Sequence, residues 1–362
     1  MAVNAGAQAA EEREAARERY YAELPEQRLW PLWKQLKGLL PSQPTSRSTP
    51  CLWPYDVVRA QLMRAGELVT AEEAERRALM LMNPGLDGKA AAAGNLYAAL
   101  QLILPGEVAP AHRHGAAALR FVIEGSGAYT AVEGEKTTMR PGDLVLTPSW
   151  AWHDHGNETD EPMIWLDGLD LPLINALEAN FFESYPGEQR HPLTRPDDAS
   201  AQLYASGRLN PTWTGAWSQP HSPILNYPWS RTEAVLRQAA AIGDGSPWDG
   251  VRFEYVNPIT GGPTMPTIAC YAQLLAAGRE TSAHRHTSAA VYHVVRGCGH
   301  TLVDGVRLEW GPRDTFAVPG WAVHRHAVEA GEDATLFSFD DAPVHRALGL
   351  YREAAVEDGG AA

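Results

Sequence analysis

From Leu96 to Trp150 the chain alternates short apolar runs with glycine and proline turns: "LYAALQLIL", "RFVIEG", "AYTAVEG" and "DLVLTPSW" follow one another closely. Runs this short, broken by turn residues, predict the strands of a small β-barrel or sandwich. The pattern then returns as "CYAQLLAAG", "VYHVVRG", "GHTLVDG" and "DTFAVPGW", from Cys270 to Trp321. Helical periodicity lies elsewhere: a charged surface helix over residues 9 to about 24, further helices over 31 to about 40 and 55–65, and "SRTEAVLRQAAA" between the two strand sets. The intervening segment of roughly 90 residues carries "YPGEQRHPLTRPDD" and "LNPTWTGAWSQPHSP". So many aromatic residues predict an ordered arm packed across the barrels, perhaps better pictured as a cover for a neighbouring barrel, since free linkers are poor in aromatics.

The likeness between the strand sets is an internal repeat. Gly106 and Gly278 precede a His-x-His pair by the same gap, and His112 and His284 are 172 residues apart. "PSWAWHDH", from Pro148, faces "PGWAVHRH", from Pro319, at an offset of 171. The expected organisation is an N-terminal helical region (1–94), a first barrel (95–172), an arm with a helix (173–262), a second barrel (263–345) and a tail (346–362).

Composition narrows the function. With 362 residues, 44% of them hydrophobic, the chain has material for two domains and no apolar run long enough for a membrane span. Its formal charge of −14 disfavours nucleic acid and repels small anions on average, so an anionic substrate needs a local cluster of arginine. Cys51, Cys270 and Cys298 lie far apart with no CxxC spacing, which predicts reduced thiols and a cytoplasmic location. The opening segment, "MAVNAGAQAAEEREAARERYYAEL", has the pattern of neither a signal peptide nor an anchor.

Histidine carries the candidate chemistry. Eight of the thirteen histidines fall in two short pairs in each repeat. Residues i and i+2 of a strand share a face, so His112 and His114 both reach into a barrel, where His153 from a later strand completes a triad. His284, His286 and His324 repeat the set as a possible second metal site. Imidazole suits iron, copper, nickel and zinc alike, so the spacing selects no metal. Arg120, two residues into a strand from Ala118, shares the inward face and needs a carboxylate, from the protein or from a ligand.

The order Gly106, His112, His114, Gly125, then Gly142, Pro148, His153 and Asn157 resembles the two motifs of the cupin superfamily, and the duplication resembles a bicupin. The fold so implied is mainly β: two double-stranded β-helix barrels with an N-terminal helical segment and a long inter-barrel arm. Most cupins add a Glu ligand shortly after the second His; Ala118 and Ala290 stand there instead, which leaves three-His sites. More narrowly, "RRALMLMNPGL", "NLYAALQLILPGEVAPAHRH", "ALRFVIEGSGAYTAVEGEKTTMRPGD" and "SPILNYPWSRTEAVL" resemble the gentisate 1,2-dioxygenase family over nearly the whole chain.

That resemblance implies Fe(II)-dependent cleavage of gentisate by O2 between the carboxyl- and hydroxyl-bearing carbons, giving maleylpyruvate, in a homotetramer or dimer. It places iron on His112, His114 and His153, the substrate carboxylate on Arg76 and Arg120, and Tyr97, Ala99 and Gln101 along the pocket. His155, Asp167 and Trp165 would act at the ring and its hydroxyls. Family members that cleave salicylate or 1-hydroxy-2-naphthoate tend to carry Trp at the position of Tyr97 and Gly at that of Ala99, and remain the nearest alternative. From the residues alone, Asp167 can equally cap a turn and Trp165 can be plain core. In the second repeat Tyr292 replaces Arg120, and "HRHAV" lacks the Asn of "HDHGN", so metal is expected there more readily than catalysis. The rival from another class is a non-catalytic metal-binding bicupin; a metal-dependent isomerase or zinc hydrolase is a further one. No G-x-S-x-G elbow supports nucleophilic catalysis.

Overall fold

The computed structural model describes residues 2–187, 189–206, 209–215 and 217–356. Two compact units divide the chain, Met1–Thr45 and Ser46–Ala362. The first holds a helix over Ala2–Glu23, a short 3-10 turn and a helix over Leu32–Leu39. Inside it, the Trp33 indole N–H donates to the Tyr21 hydroxyl at 2.9 Å and Lys34 stands over the Tyr21 ring.

The second unit contains two barrels, each made of a six-stranded and a five-stranded sheet. In the first, the six-stranded sheet runs Asn226–Tyr227, Leu144–Thr147, Ala118–Glu124, Met163–Leu169, Tyr97–Ile103, Ala78–Met80. Its partner runs Phe182–Ser184, Val108–His114, His153–Gly156, Tyr129–Val132, Glu135–Thr138. The second barrel repeats the plan: Cys51–Trp53, Thr315–Val318, Ala290–Arg296, Ala334–Asp340, Ala269–Leu275, Val251–Glu254, and opposite them Val306–Trp310, Gly299–Val303, His324–Val328, His284–His286, Glu353–Ala355.

Strand alternation gives each six-stranded sheet two different faces. Outward-facing Leu100, Leu119 and Phe121 of the first barrel join Val291, Phe337 and Phe339 of the second in one apolar core. Phe121 and Phe337 stack there with centroids 4.1 Å apart. Each such side chain contributes roughly 1.5–3 kcal/mol by leaving water, so the barrels are held back to back by their own core. The approach is close enough that a Cβ on Gly168 would stand 2.8 Å from the Phe339 ring. The inward faces are left to line the barrels.

The barrels are also interlaced. Cys51–Trp53 precedes the first barrel in sequence but pairs with Thr315–Val318 of the second, and Asn226–Tyr227 precedes the second but pairs with Leu144–Thr147 of the first. Pro54 and Pro228 then open helices Tyr55–Leu68 and Trp229–Ala240, where a missing N–H costs nothing. These helices pack on Tyr97–Ile103 and Ala269–Leu275 respectively, so each returns to the barrel of its own repeat.

The central arm wraps the first barrel of its own chain. Phe182–Ser184 pairs with His112–His114, the Ser200 N–H and hydroxyl donate to Glu135, and the buried His191 Nδ1 donates to Asp154 at 2.5 Å. Glu353–Ala355 flanks His284–His286 in the same way. No helix among the described residues is long and apolar enough to cross a membrane.

Candidate metal centre and active site

Inside the first barrel, antiparallel pairing sets His112 opposite His153, while His114 lies two residues along from His112 on the same face. Their ring centroids are 4.1 to 5.2 Å apart, and their candidate ligand atoms all lie within 4.8 Å of one another. His114 Nδ1 donates to the Ala116 carbonyl at 2.7 Å and His153 Nδ1 to that of Ala151 at 2.9 Å. Both assignments follow from the carbonyl acceptors and leave Nε2 as a lone pair. His153 Nε2 is buried with no hydrogen-bond partner. Burial pushes the pKa of all three imidazoles down, helped by nearby guanidinium charge, so they stand neutral, the form in which imidazole binds a metal. An orphaned buried nitrogen and converging neutral donors fit a metal ion.

Two guanidiniums stand beside this triad. Glu75 adopts φ of 50°, a conformation that costs roughly 1–3 kcal/mol in a non-glycine residue, at the turn into the edge strand. The next residue, Arg76, donates through Nη2 to the Pro110 carbonyl at 2.6 Å and lies against His112 Nδ1. Burial and the neighbouring Arg120 lower its pKa to about 10. Arg120 donates to the Thr147 hydroxyl and forms an ion pair with Asp167, Nε to Oδ1, at 3.5 Å. Asp167 is the carboxylate in register with Arg120, and burial raises its pKa to about 6 despite the pull of Arg120, the Trp165 indole N–H and Arg76. One carboxylate thus answers two cations, and the arrangement is a receptor for an anion.

The sequence-predicted residues converge on this face. Asp167 lies opposite Ala99 on one side and Arg120 on the other, with Trp165 opposite Gln101 and Leu169 opposite Tyr97. Asp167 sits within a strand, so it caps no turn. Trp165 is both core and site: it is fully buried, and its indole donates to Asp167 at 3.0 Å. Burial, reinforced by Asp167, raises the Tyr97 phenol above its usual pKa and keeps it a proton donor. His155 is fully buried, 5.7 Å from the Trp165 ring, with Nε2 unpartnered and Nδ1 2.9 Å from the Thr130 hydroxyl.

Three contributors escaped the sequence reading. Thr130 holds His155, Thr147 holds Arg120, and Phe182 stacks on His112 at 4.9 Å from the arm. Thr130 had a signal: Thr301 follows it by the same 171 residues that separate His155 from His326, and the Thr301 hydroxyl meets His326 Nδ1 at 2.8 Å.

Comparison with known proteins agrees with this geometry. Residues 99–169 and 272–340 each match the cupin domain. The chain is 44% identical over 337 residues to gentisate 1,2-dioxygenase 1 of Aquipseudomonas alcaligenes, spanning 93% of this chain and 96% of that one. The chain belongs to the gentisate 1,2-dioxygenase family. It is also 45% identical to the 5-aminosalicylate 1,2-dioxygenase of a Comamonas species, over 90% of this chain and 86% of the relative. The crystal structure of salicylate 1,2-dioxygenase from Pseudoaminobacter salicylatoxidans, described as adducts with gentisate, superposes with a TM-score of 0.89 at 35% identity, covering 95% of this chain and 94% of that one. Membership in the gentisate 1,2-dioxygenase family makes the protein a ring-cleaving dioxygenase of bicupin fold.

This member of the gentisate 1,2-dioxygenase family carries a second triad. His284 lies opposite His324, and the centroids of His284, His286 and His324 are 4.2 to 5.8 Å apart. His286 Nδ1 meets the Ser288 carbonyl at 2.9 Å and His324 Nδ1 that of Ala322 at 3.1 Å.

Proposed function

We propose that the first barrel cleaves gentisate with O2 to maleylpyruvate, using Fe(II) held by His112, His114 and His153. The observation that carries the reading is the excess of positive charge beside the triad: Arg76 and Arg120 against Asp167 alone. A dry, cationic pocket next to a neutral-ligand metal site suits a carboxylated aromatic acid that chelates through carboxylate and ortho-hydroxyl. Bound iron would supply Lewis-acid activation of that hydroxyl and a redox partner for dioxygen.

The chain's own residues do the rest. Arg76 and Arg120 bind and orient the substrate carboxylate, with the Thr147 hydroxyl fixing the Arg120 fork. Tyr97, Ala99, Gln101 and Trp165 shape the slot for the ring. His155 offers Nε2, and Asp167 its carboxylate, as hydrogen-bond acceptors for the ring hydroxyls, which makes the ring more electron-rich. Phe182 and the arm exclude water from the His112 side. The reading includes a cytoplasmic homo-oligomer, tetramer or dimer; the cysteines are all unpaired, as in a reducing compartment.

A second reading draws on the equal likeness to the 5-aminosalicylate enzyme. Amino and hydroxyl groups at ring position 5 both donate electrons, so the same pocket chemistry serves either acid. The test is oxygen uptake and product absorbance with gentisate, 5-aminosalicylate and salicylate, on protein reconstituted anaerobically with Fe(II). Gentisate turnover that vanishes with His112→Ala is expected. Iron-loaded protein that consumes oxygen with none of the three acids would overturn the assignment.

A further inference from the structure

The two barrels place opposite charges beside otherwise matching triads. In the first, the edge strand sets Ala78 opposite Gln101, and Arg76 enters just before it. In the second, the corresponding edge strand sets Arg252 opposite Gln273, and the residue that turns toward the triad is Asp249. Counting back three from Ala78 and from Arg252, Asp249 corresponds to Glu75, which in the first barrel is exposed while its neighbour Arg76 points inward. Asp249 acts electrostatically on His284, His286 and His326.

The position of Asp249 is built. Its backbone carbonyl accepts from the buried Gln273 amide at 2.6 Å, and its carboxylate accepts from Arg252 Nη1 at 3.2 Å. The turn that carries it is tied down by the Ser282 N–H, which donates to Pro247, and by Arg279, which donates to the carbonyls of Asp244 and Ser246. Arg252 is itself answered twice more, by Asp340 at 3.9 Å and by the Tyr271 ring 3.8 Å away. No cation is left over for a ligand's carboxylate in this group.

The space is filled as well. Ser338 lies opposite Tyr271 and Tyr292, the register at which the first barrel has Asp167 opposite Ala99 and Arg120. Two tyrosine rings therefore stand where a methyl group and a substrate-binding guanidinium stand in the first barrel, and Tyr292 is locked by stacking on Phe316 at 5.0 Å. Yet the means to hold a cation remain: converging imidazoles, with His324 Nε2 buried and unpartnered.

We propose that the second barrel holds a divalent metal ion on His284, His286 and His324 without any aromatic acid, its charge answered from within the chain by Asp249. The contrast drawn with the first barrel rests on the gentisate reading. In the first barrel, two guanidiniums oppose a bare cation and an anionic substrate relieves that opposition, so metal and gentisate strengthen each other's binding, reciprocally. In the second, the internal carboxylate takes the place of that substrate, and metal binding is indifferent to gentisate.

The experiment titrates cobalt(II) anaerobically into the full-length metal-free protein, with and without gentisate, reading bound metal and the cobalt absorption spectrum. Wild type, Asp249→Asn and a His112→Ala/His114→Ala variant are compared, with circular dichroism checking each fold. Two ions per chain are expected; gentisate tightens one by about 5- to 150-fold and leaves the other unchanged. Asp249→Asn weakens the gentisate-indifferent ion by about 10- to 100-fold, as loss of a supporting group around a metal typically does. A single ion that disappears with His112→Ala/His114→Ala overturns the proposal, as does a second ion that follows gentisate or ignores Asp249→Asn. Gentisate indifference in the wild type decides the question even if Asp249→Asn fails to fold. If gentisate tightens neither ion, the reading of the first barrel fails, while an Asp249-dependent ion on the second triad still stands.

Discussion

Asp167→Asn should make the protein more stable while disabling it. The side chain is nearly isosteric, so the change removes one charge from a fixed place. At 3.5 Å, the Asp167 carboxylate attracts the Arg120 guanidinium by about 5 kcal/mol at an effective dielectric constant near 20. Desolvation exceeds that attraction, because the carboxyl pKa ends at about 6 rather than below its usual 3.8. A rise of about two units corresponds to a cost of ~3 kcal/mol for holding the charged form in the fold. Because the folded-state value is raised, the cost is absent below pH 3.8, grows as pH rises, and is complete above about pH 6.

Urea denaturation of chelator-treated protein should therefore show Asp167→Asn stabilised by ~3 kcal/mol at pH 7.5 and by only about 1 kcal/mol at pH 4.5. Turnover of gentisate by the iron-loaded variant should fall by about 100-fold or more, the usual scale for losing a group that handles a proton or hydrogen bond at the reacting centre. Destabilisation at pH 7.5 would mean that the ion pair outweighs its desolvation. A gain of equal size at both pH values would mean that charge is not its source. Either result refutes the reasoning.

Phe121→Ala removes one partner of the stacked pair between the barrels and should cost about 3–5 kcal/mol, with near-ultraviolet and far-ultraviolet signals still changing in one transition; two separate transitions would show that the barrels are independent. Glu124 accepts from the Tyr55 hydroxyl at 2.8 Å, from Arg59 at 2.6 Å and from Arg313 at 3.2 Å, and the Arg59 contact above all holds its carboxyl below the usual range. Its stabilising contribution is present above the unfolded-state pKa and lost as pH falls through the depressed one, so Glu124→Gln should flatten the acid limb of a stability–pH curve measured from pH 6 downward.

The sequence displayed what is local. Two His-x-His pairs at matched offset, the short strands around them and the helices beginning near Tyr55 and Trp229 all depend on neighbours a few residues away, and each lies where the pattern puts it. The inward placement of Arg120 and Asp167 was legible for the same reason, since strand alternation assigns faces. The flanking strands Phe182–Ser184 and Glu353–Ala355 were not. They are three residues long and largely exposed, so they have no periodicity, and only the open edge beside each His-x-His strand makes them strands. Asp249 was hidden differently. Its carboxylate is meaningful only once the register of Val251–Glu254 against Ala269–Leu275 aligns it with Glu75, a correspondence that sequence similarity between the repeats does not carry.

The crossed strands Cys51–Trp53 and Asn226–Tyr227 bear on how such a chain can change over evolutionary time. A gene cut between the repeats would encode two halves, each missing a strand that the other half carries and each with a sheet edge open to stray partners. The halves are thus complementary fragments rather than domains that could travel alone. The second copy was free to surrender the arginine and the pocket that binding gentisate would require, but deletion was closed to it. It is retained as half of an interlocked pair.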